Sequence, residues 1–144
     1  MKVSGSYLFQ APAQKVWATL MDPMVMSRCL PGCESLDQVG DDQYQAVLSV
    51  GIGPIRGRYQ AKILIHDKIP SQSYRLALEG TGPAGFAKGE ALVTVVEREG
   101  KATVQVEGDA QAGGPVARVG QRMMGSAAKM VLDQFFSCLQ KAVE

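Results

Sequence analysis

Between Glu34 and Ala112 the chain alternates apolar and polar residues in one run after another, and beyond that point a single helical period takes over. Few folds accommodate this order. Period-two runs with one apolar and one polar side form antiparallel strands wetted on one face. In one run Tyr59, Ala61, Ile63 and Ile65 alternate with Arg58, Gln60, Lys62 and Leu64. In another, Ala102, Val104, Val106, Gly108 and Ala110 alternate with Thr103, Gln105, Glu107 and Asp109. The Gly, Pro, Asp and Ser boundaries predict strands over 35–40, 43–51, 55–67, 72–80, 86–98 and 101–112. Glu99-Gly100 marks a tight hairpin.

An earlier strand is predicted over 2–10, where Val3, Gly5, Tyr7 and Phe9 share one side. Ala11-Pro12-Ala13 ends it and opens a helix, because proline suits the first helical turn. Val16, Trp17, Leu20 and Met21 recur at helical spacing, with Trp17 read as a core anchor. Asp22-Pro23 then punctuates, and Met24–Leu30 reads as a second short helix before the turn at Pro31-Gly32.

Gly113-Gly114-Pro115 closes the strand region, and one helix is predicted from about Pro115 to Val143, roughly 43 Å long. Val116, Gly120, Met123, Met124, Ala127, Val131, Phe135, Cys138 and Ala142 gather on one face of its wheel. Arg118, Arg122, Lys129, Asp133 and Gln140 lie opposite, and Leu132, Phe136, Leu139 and Val143 form a second apolar stripe in the C-terminal half. The expectation is a single α+β domain over residues 1–144: a curved antiparallel sheet of about seven strands around one long C-terminal helix, with two short helices after the first strand.

Bulk properties exclude several function classes. The 144 residues carry a net charge of +1, so no general pull toward nucleic acid or anionic membrane is expected. Nowhere do 18 consecutive apolar residues occur, and no signal-peptide core follows Met1, which predicts a reduced cytoplasmic setting. Three cysteines, Cys29, Cys33 and Cys138, are too few for a disulfide scaffold. Cys29 and Cys33 bracket Leu-Pro-Gly with no second ligand pair, so they read as free thiols in a turn, and Cys138 as a small core residue.

Several segments resemble the carbon monoxide dehydrogenase CoxG family: Gly53-Pro54-Ile55-Arg56-Gly57-Arg58-Tyr59, Gly85-Phe86-Ala87-Lys88-Gly89, Gly113-Gly114-Pro115 with Val119-Gly120-Gln121-Arg122, and Asp133-Gln134-Phe135-Phe136. Leu30-Pro31-Gly32 also matches, and the resemblance runs over essentially the whole chain. That family belongs to the START/Bet v 1-like (SRPBCC) superfamily of helix-grip folds. The resemblance implies a non-catalytic accessory of a molybdenum hydroxylase such as carbon monoxide dehydrogenase, recruiting it to the membrane or passing electrons to quinone. It implies a cavity holding a quinone or other lipid, with no tightly bound cofactor. Since the sequence stops at Glu144, directly after the long helix, membrane contact is expected to be transient, at the inner face. A homodimer is left open.

The apolar face supplies the expected ligand site. Phe86, Gly89, Ala91, Val104, Val106, Val116, Gly120, Met123, Met124, Ala127 and Val131 are its candidate lining, since small and flexible side chains on facing walls leave room for an apolar guest. Facing strands add Ala102, Gly108 and Ala110. Gly80–Phe86 reads either as a mobile loop with Phe86 as an apolar lip or as a plain hairpin turn. Arg118 and Arg122 are candidates for docking an acidic partner or lipid headgroups, against the alternative of a solvated stripe. His66, the sole histidine, reads as an exposed strand-end residue, so neither a metal cluster nor a triad is expected. A partner-docking adaptor and a small cyclase- or hydrolase-like enzyme remain as alternatives.

Overall fold

Each alternating run becomes a strand of one sheet. In the computed structural model, which describes residues 1–53 and 55–143, the strands are β1 (Lys2–Phe9), β2 (Cys33–Gly40), β3 (Gln43–Ile52), β4 (Ile55–Ile69), β5 (Ser73–Gly82), β6 (Gly85–Arg98) and β7 (Lys101–Gly113). Pro54, part of the expected kink between β3 and β4, and Glu144 lie outside the described residues. The sheet order is β1-β7-β6-β5-β4-β3-β2, antiparallel throughout. The consecutive strands β1 and β2 therefore sit at opposite edges. The chain crosses between them as α1 (Ala13–Leu20) and α2 (Pro23–Cys29), which brace one end of the sheet.

Local chemistry positions these helices. The Ala13 N–H donates to the Glu97 carboxylate of β6 at 2.6 Å, which places an acceptor at the N-terminus of α1. Asp22 caps α2 by accepting from the Met24 N–H at 2.9 Å, with Pro23 in the first turn. Trp17 then meets Tyr74 edge to face at 5.6 Å, the core anchoring expected of it.

The C-terminal helix is shorter than expected. Pro115–Val119 is a 3-10 turn, and α3 begins only at Gln121 and runs to Val143. Gly120 separates them at φ 88°, a conformation that cannot propagate a right-handed helix and that glycine adopts without penalty. Twenty-three residues give α3 a length of about 34 Å.

The inward face of α3 also differs from the expected one. Ala127, Phe136, Leu139 and Val143 are buried, with Leu132 and Phe135 packed against the core. Met123 and Val131, placed inward by the wheel, are 42% and 39% exposed. The stripe read as secondary is the one that meets the sheet, because β1 and the two short helices grip α3 from that side. Tyr7 of β1 stacks flat on Phe136 at 4.4 Å, its hydroxyl donates to Asp133 at 2.7 Å, and Gln140 donates to the Leu8 carbonyl at 2.8 Å.

Cysteine chemistry is a second correction. Cys29 and Cys138 form a disulfide between α2 and α3, while Cys33 alone keeps its thiol. The two partners are 109 residues apart in sequence, so no spacing argument pairs them. Packing of α2 on α3 brings their Cα atoms to 5.4 Å, within disulfide reach.

Candidate functional site

Antiparallel pairing sorts the inward-facing side chains of the sheet into rows. Nearest α1 and α2, one row reads Tyr74, Val93, Val106 and Gly5, and the next reads Ile65, Leu76, Ala91, Gly108 and Val3. These rows belong to a core that also holds Phe9, Val16, Leu20, Phe136, Leu139 and Val143. We call this the closed half.

Farther along the strands the rows shrink. One reads Tyr44, Ile63, Leu78, Gly89 and Ala110. Its neighbour reads Ala46, Ala61, Gly80, Ala87 and Ala112, with no side chain beyond a methyl across five adjacent strands. Leu78 reports the consequence. It shares the inward face with Ile63, which is 6% exposed, yet Leu78 itself is 41% exposed in the middle of the sheet. Nothing packs it as the closed half packs Tyr74.

Beyond the small-residue row lies a separate apolar cluster of Ile55, Tyr59, Val116 and Ala127, with Val50, Ile52, Ala84, Ala112, Val119 and Met124 against it. The core is therefore divided in two, and the rows of small residues lie between the parts. A cleft of about 410 Å³ opens where β7 faces the start of α3, lined by Ala110, Ala112, Ala117, Gly120, Gln121 and Met124. This is the open half.

The lining predicted from sequence falls in four places. Val116, Met124, Ala127 and Gly120 stand around the open half, and Gly89 lies on its strand wall. Ala91, Val104 and Val106 point inward but belong to the packed closed half, where Val104 is fully buried, as is Ala102. Met123 and Val131 are on the outer side of α3. Phe86 is on the convex face of the sheet, 48% exposed with its ring lying over Gly113, so it is no lip of this cleft. The glycine-rich segment 80–86 is a hairpin turn between β5 and β6, fastened by the Val116 N–H donating to the Ala84 carbonyl at 2.6 Å.

Sequence reading misses Ala46, Ala87, Gly80 and Leu78, and does not single out Tyr59 or Ala61. The signal is present in the alternation, but it emerges only when hairpin registers align the small residues of different strands. Tyr59 is the one polar group of the open half that stands out. It is 9% exposed, its ring edge lies over Gly82, and its hydroxyl is buried with no hydrogen-bond partner. Burial raises its pKa.

The remaining chemistry is outward. Among the described residues no charged side chain is buried, and no cluster of His, Cys, Asp or Glu could hold a metal ion. His66 contacts Asp67 at 3.1 Å at the exposed end of β4. Arg58 pairs with Glu34 at 3.2 Å and Arg56 donates to the Gly53 carbonyl, whereas Arg118 and Arg122 are exposed without an ion pair among the described residues. A second cleft, about 510 Å³, lies on the convex face among Lys2, Ser4, Arg75, Glu90, Glu107 and Asp109. Its lining is charged and open to water, so it is no apolar site. No described helix is long and apolar enough to cross a membrane.

Comparison with known proteins agrees with this architecture. A conserved protein from Geobacillus kaustophilus superposes with a TM-score of 0.96 at 35% identity, over 99% of this chain and 95% of that one. A START superfamily protein from Mycobacterium smegmatis gives 0.76 at 15% identity, covering 99% and 96%. The protein CV1439 from Chromobacterium violaceum gives 0.75 at 12%, covering 99% and 96%. No curated protein matches the chain. The START-like helix-grip fold is thus established, and the profile of the carbon monoxide dehydrogenase CoxG family matches residues 5–144. This chain belongs to the CoxG family of carbon monoxide dehydrogenase subunits.

Proposed function

We propose that the protein is a non-catalytic carrier of an apolar, quinone-like or lipid-like molecule, working as an accessory to a molybdenum hydroxylase of the carbon monoxide dehydrogenase type. The observation that carries this reading is the five-strand row of Ala46, Ala61, Gly80, Ala87 and Ala112 beside the exposed, inward-facing Leu78. Apolar surface left unpacked in the middle of a sheet costs about 25 cal/mol per Å² relative to burial, and an apolar guest recovers that cost. General acid–base catalysis needs a titratable group near the reacting atoms, and the described carboxylates, amines and imidazole face outward.

Extraction of the protein from its native host with organic solvent, followed by mass spectrometry, tests the carrier reading. An apolar molecule is expected to co-purify, and added prenylated quinones are expected to raise the melting temperature. Absence of both effects sinks it.

A second reading, docking on the hydroxylase or briefly on the membrane, is favoured by Arg118 and Arg122. Both are exposed, lack an ion pair among the described residues and lie next to the exposed Met123. Charge reversal, Arg118→Glu with Arg122→Glu, is expected to abolish co-purification with the hydroxylase while quinone binding persists. Retained co-purification removes these residues from the interface.

A further inference from the structure

The open half has apolar walls and one unsatisfied donor. Tyr59 projects from β4 on the inward face, beside Ala61, into the cluster of Ile55, Val116, Ala127 and Met124. Its hydroxyl is sealed from solvent and meets no acceptor. Buried polar groups are normally paired, and leaving one unmade costs about 1–3 kcal/mol. The position is nevertheless built around the ring. A methyl at Gly82 would stand 2.7 Å from the ring carbon Cδ1, so the glycine on the neighbouring strand makes the berth that Tyr59 occupies. A phenylalanine would fill the same berth without an orphaned hydroxyl.

We propose that Tyr59 is the polar anchor of the ligand site, its hydroxyl donating a hydrogen bond to a carbonyl oxygen of an otherwise apolar ligand. This rests on the carrier reading and narrows it to carbonyl-bearing guests. A phenol in apolar surroundings stays protonated, and burial reinforces this by raising its pKa. It is therefore a donor in search of an acceptor, and the ring oxygen of a quinone or the ester carbonyl of a lipid meets that need where a plain hydrocarbon does not. The guest's apolar body would lie along the Ala and Gly row, and the opening between β7 and α3 provides the entrance.

The test compares two probes, a prenylated naphthoquinone and the prenylated naphthalene of the same shape, by fluorescence titration against wild type and Tyr59→Phe. Wild type is expected to bind the quinone about tenfold more tightly than the hydrocarbon, the worth of one good buried hydrogen bond. In Tyr59→Phe the quinone should lose that advantage while hydrocarbon affinity stays unchanged. Two further readouts separate this from a structural role. The unliganded Tyr59→Phe protein should melt no lower than wild type, since it loses an unpaired hydroxyl. Infrared spectra of quinone bound to wild type should show one carbonyl stretch shifted to lower frequency. Equal binding of both probes by wild type, or a Tyr59→Phe variant that binds the quinone as wild type does, overturns the anchor and leaves the carrier reading standing. Failure of wild type to bind either probe overturns both.

Discussion

The two halves of the space between the sheet and α3 are built from different stock. In the closed half, Phe9, Tyr74, Val93, Phe136 and Leu139 interdigitate, all of them at least 95% buried. Three kinds of fastener hold α3 there: the disulfide to α2, the stack of Tyr7 on Phe136, and polar contacts from Asp133 and Gln140 to β1. In the open half α3 starts after the glycine joint at Gly120 and faces Ala and Gly rows that cannot fill the gap. One helix therefore serves as a fixed post at its C-terminal end and as a cover at its N-terminal end. The difference shows that a chain can reserve space for a guest by side-chain size alone, without changing strand count or pairing.

Breaking the closed half should carry the largest effect. Cys138→Ser opens a cross-link spanning 109 residues, and unfolding by urea is expected to show a loss of about 4–5 kcal/mol. Wild type in reductant should lose a similar amount, whereas a small loss would mean that packing alone holds α2 on α3. Phe136→Ala comes next, at about 3–5 kcal/mol, because the site is closed on several sides and collapses poorly. Either change should leave the affinity of the remaining folded protein for an apolar probe within about threefold if the halves act independently.

Overfilling sharpens the contrast. Ala102 is fully buried in the closed half, and Ala102→Leu is expected to cost about 1–3 kcal/mol or more. Ala61→Leu, in the small-residue row, should cost less than about 1 kcal/mol and lower probe affinity at least tenfold. Equal stability losses from the two variants would show that the open half is already packed.

The smallest effect concerns the clasp. The Tyr7 hydroxyl, and then Lys129, hold the Asp133 carboxyl below its ordinary pKa. A depressed carboxylate contributes stability that is present above its unfolded pKa and is lost as pH falls through the folded one. Melting temperature should therefore drop slightly on acidification below about pH 4, the ordinary carboxylate range. Tyr7→Phe should flatten that slope, and an unchanged slope would assign it to other carboxylates.

Much of this division is written in the residues and part of it is not. The alternation of Tyr59, Ala61, Ile63 and Ile65 indicates a strand and its inner face because the period is a property of the backbone. His66, at an exposed strand end, and Trp17, against Tyr74, are likewise legible, since each follows from local position. The inward stripe of α3 is not, because α3 carries two apolar stripes and a helical wheel ranks them by composition rather than by what stands opposite. Phe86 escapes for a related reason: proximity to a turn says nothing about which side of the sheet a ring lies on, whereas its pairing with Gly113 does.

By itself the sequence determined the element order, the antiparallel sheet, the glycine punctuation and the family, because each depends on local periodicity or on short segments in a fixed order. Tertiary structure alone decided which stripe of α3 faces inward, that Cys29 finds Cys138, and that Ala46, Ala61, Gly80, Ala87 and Ala112 line up across five strands. It also decided that the Tyr59 hydroxyl is left without a partner. These are relations between residues distant in the chain, and register and packing, which no single segment encodes, bring them together.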